Sequence, residues 1–464
     1  MNSFLLFQNN FKMFLPEVFL ATCILILVLH GSILVSAKEI GSPFITRSLN
    51  KLSVLVLFFT FFLVQNSNNI FISSYQGGFI FDNLASNSKQ LILLCSLICL
   101  LISEDYIFQN KLNRFEYFLL FLSSILGLLF VVCSNDLISL YLSIEMQSLC
   151  FFVLAASKKD SSFSVEAGLK YFILGSFSSA FFLLGISLLY GCTGTTNFDN
   201  LHLLFLEKTE ETSFIFSPIE NGLICISVAF FFKLGVSPFH FWVPDVYEGS
   251  PTSISLFFAI TPKIVLFIAF LRLFQGVFIS FSEFLYFVIL LFAILSIFVG
   301  SFVALRQKKL KRLLAYSSIN HVGYLLLAFS ANSLEATESL FFYIFIYMFT
   351  SFGLWSILLL IDKTYSFGKS KTLLDLASVA KTNPLIGVSC ILALFSLAGI
   401  PPFAGFLAKI EIFINALNAS LFSACLFALL ASVISAFYYV RLVKVVYFEK
   451  CETQFFLSKI NHII

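Results

Sequence analysis

Four charged side chains occur where an apolar, helix-forming sequence has least use for them: Glu145, Lys233, Lys263 and Lys409. Glu145 lies nine residues beyond Asp136 in "NDLISLYLSIEMQSLCFFVLAASKK", roughly 13 Å along a helix that rises 1.5 Å per residue. Lys263 is central in "PTSISLFFAITPKIVLFIAFLRLF", directly after Pro262. Lys233 precedes a break at Gly235 and Pro238 in "GLICISVAFFFKLGVSPFHFWVPDVYEGSP", and Lys409 follows a second break in "GIPPFAGFLAKIEIF". A charge inside a bilayer is costly and by default marks a functional site. The chemistry that suits this set is proton handling. Burial disfavours a lysine's ammonium form and a nearby carboxylate favours it, so the proton can be taken up and released; arginine holds its proton permanently. The competing reading is a set of structural ion pairs or snorkelling side chains, and four central charges with two beside helix breaks favour function.

Other residues carry less. His240 and His321 are candidate relays because imidazole titrates near neutral pH, and each is equally readable as a satisfied buried histidine. Glu166 and Lys170, four apart, read as a helix-surface pair as readily as a functional one. Asp136 has the place of a helix N-cap, and Asp245 and Glu248 read as plain solvated acids. The sequence has no GxGxxG, no P-loop and no CxxC. Most of its ten cysteines lie inside apolar runs, where they act as small hydrophobes, and the five histidines are too scattered for paired haem ligation. This pattern moves ions and carries no redox centre of its own.

The elements that position these groups follow from composition. Of 464 residues 59% are hydrophobic and 11% charged, with mean hydropathy +0.97. Apolar runs of roughly 18–25 residues, each able to cross about 30 Å of hydrocarbon, recur along the chain. They predict an all-α polytopic membrane protein with about thirteen spans, the seventh (219–243) and twelfth (384–418) interrupted. The opening segment lacks a cleavage-site pattern and reads as a retained first helix. Alternate connections are basic (Lys38, Arg47 and Lys51; Lys111 and Arg114; Lys158 and Lys159; Arg306 to Arg312; Lys363 to Lys381; Arg441 to Lys450). The opposite ones are mainly acidic (Asp82, Asp136, Glu207 to Glu220, Glu283, Glu335 and Glu338). The positive-inside rule then sets the N-terminus away from the basic side and the C-terminus on it. One connection on the basic side, "HFWVPDVYEGSP", is not basic and is a candidate contact or gating loop. A net charge of +3 with no basic patch gives no sign of nucleic-acid binding. "KLGVSPF" at 233–239 is echoed by "LAGIPPF" at 397–403; five spans separate the copies, so the repeat is inverted. Inverted repeats that each contain a broken helix are a transporter signature.

The blocks "FLPEVFLA", "NDLISLYLSIEMQSL", "GLKYFILGSFSSAFFLLGISLLYGCTGTTNF", "FKLGVSPFHFWVPDVYEGSP", "LLAYSSINHVGYLL" and "LAGIPPFAGFLAKIEIF" together resemble the antiporter-like membrane subunits of respiratory complex I, NADH:ubiquinone oxidoreductase. Among these they resemble the subunit 2 family in its long form, and the phenylalanine-rich wording favours a mitochondrial copy. The resemblance implies an antiporter-like fold with two inverted five-helix repeats and discontinuous helices 7 and 12. It divides the chain into three N-terminal helices (1–114), a first repeat (115–272), a second repeat (277–447) and a short tail (448–464). The family's glutamate on span five and lysines on spans seven, eight and twelve fall on Glu145, Lys233, Lys263 and Lys409, and its relay histidine on His321. It also implies that FMN, iron–sulfur clusters and ubiquinone belong to other subunits, with none bound by this chain. The partners implied are neighbouring membrane-arm subunits and lipid, in the mitochondrial inner membrane. The chain ends where the family adds a fourteenth helix, which is then either lost or supplied by a separate polypeptide. The alternatives are a subunit of a multi-subunit cation/proton antiporter and a passive structural membrane subunit.

Overall fold

Lipid offers the backbone no hydrogen bonds, so a spanning chain must satisfy its own, and here it does so as helices. A computed structural model describes residues 13–36, 42–66, 72–110, 112, 114–206, 213–364 and 372–449. In chain order the helices are α1 (Leu15–Ser36), α2 (Ser42–Asn66), α3 (Asn83–Gln109), α4 (Phe115–Cys133), α5 (Leu137–Ala155) and α6 (Ser162–Thr193). There follow α7 (Phe198–Leu206), α8 (Ser213–Leu234), α9 (Trp242–Gly249), α10 (Thr252–Leu271), α11 (Ser282–Leu305) and α12 (Leu310–Ser330). The last are α13 (Leu334–Thr364), α14 (Val379–Thr382), α15 (Pro384–Ala398), α16 (Ala404–Asn418) and α17 (Phe422–Phe448). Eleven stretches among the described residues are long and apolar enough to cross a bilayer. The two broken spans, α8 with α9 and α15 with α16, complete the expected thirteen.

A hairpin joins Ile72–Ser74 to Phe79–Phe81 as two antiparallel strands, in the register Ile72↔Phe81. Hydropathy gave no sign of it. Lateral surfaces are apolar, as lipid requires: Leu169, Ile173 and Phe177 are exposed along one face of α6. By contrast every residue of α10 is buried, so Lys263 sits in protein and not in lipid.

The two breaks share a geometry. α8 ends at Leu234 and Gly235 takes φ 75°; α15 ends at Ala398 and Gly399 takes φ 77°. Three residues later each break carries a cis peptide, before Pro238 and before Pro402. Only glycine adopts the left-handed region without cost. At Gly235 space matters as well, since a Cβ would come 2.4 Å from Val243. A second correspondence was not legible beforehand. A Cβ on Gly127 would lie 2.9 Å from the Gln147 backbone, and one on Gly300 would lie 2.6 Å from that of Asn320. Thus α4–α5 and α11–α12 each close up around a glycine facing an amide residue, the small-residue packing that membrane helices use in place of a hydrophobic drive.

By contacts the chain divides into two units, one formed by 1–234 with 249–285 and the other by 235–248 with 286–464. The broken seventh span is thus where the chain leaves the first unit, at Leu234. The third span begins earlier than its apolar run: Asp82 caps α3, accepting from the Ala85 backbone N–H at 2.8 Å. Several loop charges lie outside the described residues, namely Lys38, Lys111, Glu207, Glu210, Glu211, Lys369, Lys371 and Lys450. So does the expected tail beyond Glu449, on which the question of a fourteenth helix falls.

Gly235→Ala is expected to destabilise the fold, through about 1–2 kcal/mol of left-handed strain plus the clash with Val243. Gly276→Ala, whose Cβ would meet nothing within 4 Å, is expected to be near neutral. Native-gel quantification of assembled protein after graded heating compares them, and equal behaviour of the two variants contradicts the expectation.

Candidate functional site

In the first unit, α5 and α8 bring Glu145 and Lys233 together. Lys233 Nζ lies 3.7 Å from Glu145 Oε1, with the side chains 8% and 21% exposed. That distance is an ion pair but too long for a hydrogen bond. Glu145 Oε2 instead accepts from Ser148 Oγ at 3.2 Å. The cavity beside the pair is lined by Tyr141, Ser178, Ser179 and Phe182 among others, so hydroxyls and aromatic faces surround the charges. Lys233 stands in the last turn of α8, at the end whose carbonyls the break frees. A cation there is favoured by the helix dipole. Lys263 lies elsewhere in the same unit, buried on α10 and absent from the lining of this cavity.

The second unit builds the corresponding arrangement from its own broken span. Lys409 donates to the Ala398 carbonyl at 2.9 Å and to the Leu397 carbonyl at 3.3 Å, the last carbonyls of α15. Its ammonium also lies 5.2 Å from the centre of the Tyr324 ring. A Cβ on Gly399 would come 2.8 Å from Cδ of Lys409, so the glycine that turns the chain also clears the lysine's path. His321 lies between two phenols, its Nδ1 2.6 Å from Tyr343 Oη and its Nε2 3.0 Å from Tyr439 Oη. His321 and Lys409 line one cavity with Tyr343, Tyr347, Thr350 and Ser396.

His240 is buried in the second unit, stacked on Phe241 and edge-on to Tyr316, and lines neither cavity. Asp136 caps α5 through the Ile138 N–H, and Glu166 pairs with Lys170 at 2.8 Å on an exposed face. Asp245 and Glu248 differ from the solvated acids expected. Arg312 pairs with Asp245 at 3.1 Å and with Glu248 at 3.4 Å, and Lys309 pairs with Glu248. The physical reason is the register of α9 on α12. Basic side chains at the start of α12 meet the two acids, and this explains how an acidic segment fits on the basic side.

Two groups of residues escaped sequence reasoning. Tyr343 and Tyr439, far from His321 in the chain, gave no local signal. Glu17 and Lys89 form an ion pair at 2.5 Å with side chains only 1% and 3% exposed. Lys89 gives little signal in sequence because its polar neighbours in "ASNSKQ" dilute the apolar run at the start of its helix, and without it Glu17 has no visible partner. The cue was available in the cap at Asp82, which places Lys89 seven residues inside the helix.

Residues 134–435 match the family described as "NADH:quinone oxidoreductase/Mrp antiporter, TM". The chain is 41% identical over 453 residues to "NADH-ubiquinone oxidoreductase chain 2" of Marchantia polymorpha, covering 97% of this chain and 91% of that one. It is 38% identical over 436 residues to "NADH-quinone oxidoreductase subunit N" of Paramagnetospirillum magneticum, covering 94% and 88%. Among solved structures it resembles a chain of respiratory complex I from Thermus thermophilus with bound aureothin, with TM-score 0.77 and 30% identity over 95% of this chain and 91% of that one. The fold is therefore that of the antiporter-like membrane subunits.

Tyr343→Phe and Tyr439→Phe each remove one partner of His321 and are expected to cost about 1–2 kcal/mol. Combined with His321→Phe, either should add little to the loss from the histidine alone, because the groups act as one network. Thermal midpoints of the assembled protein measure this, and fully additive losses contradict it.

Proposed function

The chain belongs to the NADH:quinone oxidoreductase/Mrp antiporter transmembrane family, and from that premise we propose that it is a proton-translocating membrane-arm subunit of a respiratory NADH:ubiquinone oxidoreductase. Its working groups are Glu145, Lys233, Lys263 and Lys409, with His321 as a relay and His240 as a lesser one. Its place is the mitochondrial inner membrane, with the basic side and the C-terminus toward the matrix, among neighbouring antiporter-like subunits. FMN, iron–sulfur clusters and ubiquinone belong to other subunits of the assembly, and this chain binds none of them.

The observation that carries the reading is the loose Glu145–Lys233 pair at 3.7 Å. Two unit charges about 4 Å apart interact by about 4 kcal/mol at an effective dielectric of about 20. With Glu145 near, the ammonium of Lys233 is held. When the carboxylate swings away, burial dominates and the proton leaves toward Lys263 and onward to Lys409. The small, mainly apolar cavity beside the pair, which Tyr141, Ser178 and Ser179 help to line, is where a water would link the two groups and give the proton a way out. The breaks contribute backbone carbonyls as ammonium acceptors, which intact helices would have consumed. Lys409 already uses two of them.

Lys233→Ala and Lys233→Arg are both expected to lower the number of protons pumped per NADH oxidised in vesicles, the second because arginine does not release its proton. Glu145→Gln should do the same, and Glu145→Asp should retain part. Assembly is checked for every variant by native gel and NADH oxidation. A wild-type ratio in assembled Lys233→Ala would show a structural lysine and sink the reading in favour of a passive subunit. Co-purification with a flavin- and iron–sulfur-containing assembly separates this function from that of a multi-subunit cation/proton antiporter.

A further inference from the structure

Glu17 and Lys89 lie outside both cavities described above, yet they are the most deeply buried charge pair among the described residues. Glu17 stands in the first turn of α1 and Lys89 two turns into α3, so two separate spans bring opposite charges to one place. The Lys89 ammonium also faces the Phe81 ring, 4.3 Å from its centre, and touches the thiol of Cys133 at the end of α4. Lys89 is seven residues along α3 from Asp82, hence on the same face and roughly 10 Å deeper. Asp82 accepts both an Nη2 contact at 2.8 Å and one at 3.0 Å from Arg272, and this outer pair is 28% and 13% exposed. The electrostatic neighbours of Cys133 are Lys89 first, then Glu17 and, least, Arg272. Carboxylate and cation thus alternate from a half-exposed helix end inward to a closed interior.

A pair that only pinned α1 to α3 would have its acceptors fully used, because an unsatisfied buried polar atom is expensive. Glu17 Oε1 spends its contact on the Lys89 ammonium, and Oε2 has no hydrogen-bond partner among the described residues. Apolar residues of similar volume would also fill such a site at no loss of stability. We propose that Glu17 and Lys89 form a second proton-exchange site, in the N-terminal helices of the first unit, that communicates through Asp82 with the acidic face of the membrane.

In this site the Lys89 ammonium passes a proton to the Glu17 carboxylate. One N–H bond breaks, one O–H bond forms, and a neutral amine and a neutral acid remain. Loss of the acid's proton toward Asp82 leaves carboxylate and amine, and reprotonation of the amine restores the ion pair. Arg272 fixes the Asp82 carboxylate at the outer end. The titratable group beside the pair is Cys133 from α4; Asp82, earlier on α3, forms the outer pair with Arg272, the fixed charge following α10. The proposal rests on the proton-translocating reading of the chain, and its test is arranged so that the two can fail separately.

The test uses the assembled complex in vesicles, measuring protons pumped per NADH oxidised for Lys89→Arg, Glu17→Gln and the double variant Glu17→Gln/Lys89→Met, beside Lys233→Ala. Lys89→Arg keeps the charge and the pair but cannot release its proton, and the double variant removes both charges without leaving one unpaired. The expected result is assembly of at least one of the first two and of the double variant, with a pumping ratio reduced to that of Lys233→Ala. A wild-type ratio in assembled Lys89→Arg or the double variant overturns the proposal, as does failure of all three to assemble, the outcome a purely structural clamp predicts. If Lys233→Ala itself pumps normally, the broader reading has failed. If Lys233→Ala is impaired and assembled Lys89→Arg is not, only the second site has.

Discussion

A lysine ammonium placed inside a bilayer must find acceptors there, and most of this molecule's unusual structure follows from meeting that need. A continuous helix has none to offer, because its carbonyls are taken by its own N–H groups. Ending α15 at Gly399 frees the carbonyls of Leu397 and Ala398, and Lys409 binds both. Ending α8 one residue beyond Lys233 places that ammonium at the negative end of a half-helix, where Glu145 completes the neutralisation. The glycines at 235 and 399 are therefore part of the charge chemistry. They turn the chain, and Gly399 leaves room for the lysine stem as well.

The difference between the two lysines is informative. Lys409 is tied by direct hydrogen bonds to a backbone that does not move independently. Lys233 faces the side chain of Glu145, at a distance too long for a hydrogen bond and beside a small cavity that Tyr141, Ser178 and Ser179 help to line. The first ammonium is held by backbone acceptors, the second by a side-chain carboxylate. Both depend on the close packing that shields them. The α4–α5 and α11–α12 contacts bring backbones together at Gly127 and Gly300, and α10 buries Lys263 on every side. Inside such packing the effective dielectric is low, so electrostatic interactions are stronger than at a surface.

How far this was legible in the sequence depended on whether the determining contact was local. Spans, breaks and the four central charges are carried by runs and spacings within one segment, and most of the spanning helices stand where hydropathy puts them, α3 excepted. The inverted repeat was legible from "KLGVSPF" and "LAGIPPF" because the break needs glycine and proline at fixed offsets. What escaped depended on packing between distant segments. Tyr343 and Tyr439 meet His321 only in three dimensions, and Asp245 and Glu248 meet Arg312 and Lys309 through the register of two helices. Lys89 was hidden for a different reason: a polar stretch at a helix start dilutes the apolar signal, so the capped start of α3, with Lys89 buried two turns in, reads as loop. A hydropathy window measures composition, and burial against Glu17 is not a matter of composition.

The central claim is that the Glu145–Lys233 pair is loose and wetted, so that its proton can leave. The most direct measurement is a cryo-electron microscopy map of the intact assembly at a resolution that shows ordered water around these two side chains. The account predicts water in the cavity by Tyr141, Ser178 and Ser179, in contact with Lys233 Nζ, and an occupancy of more than one position by the Glu145 carboxylate. A dry cavity with Glu145 and Lys233 locked in a direct hydrogen bond under every turnover condition would contradict it.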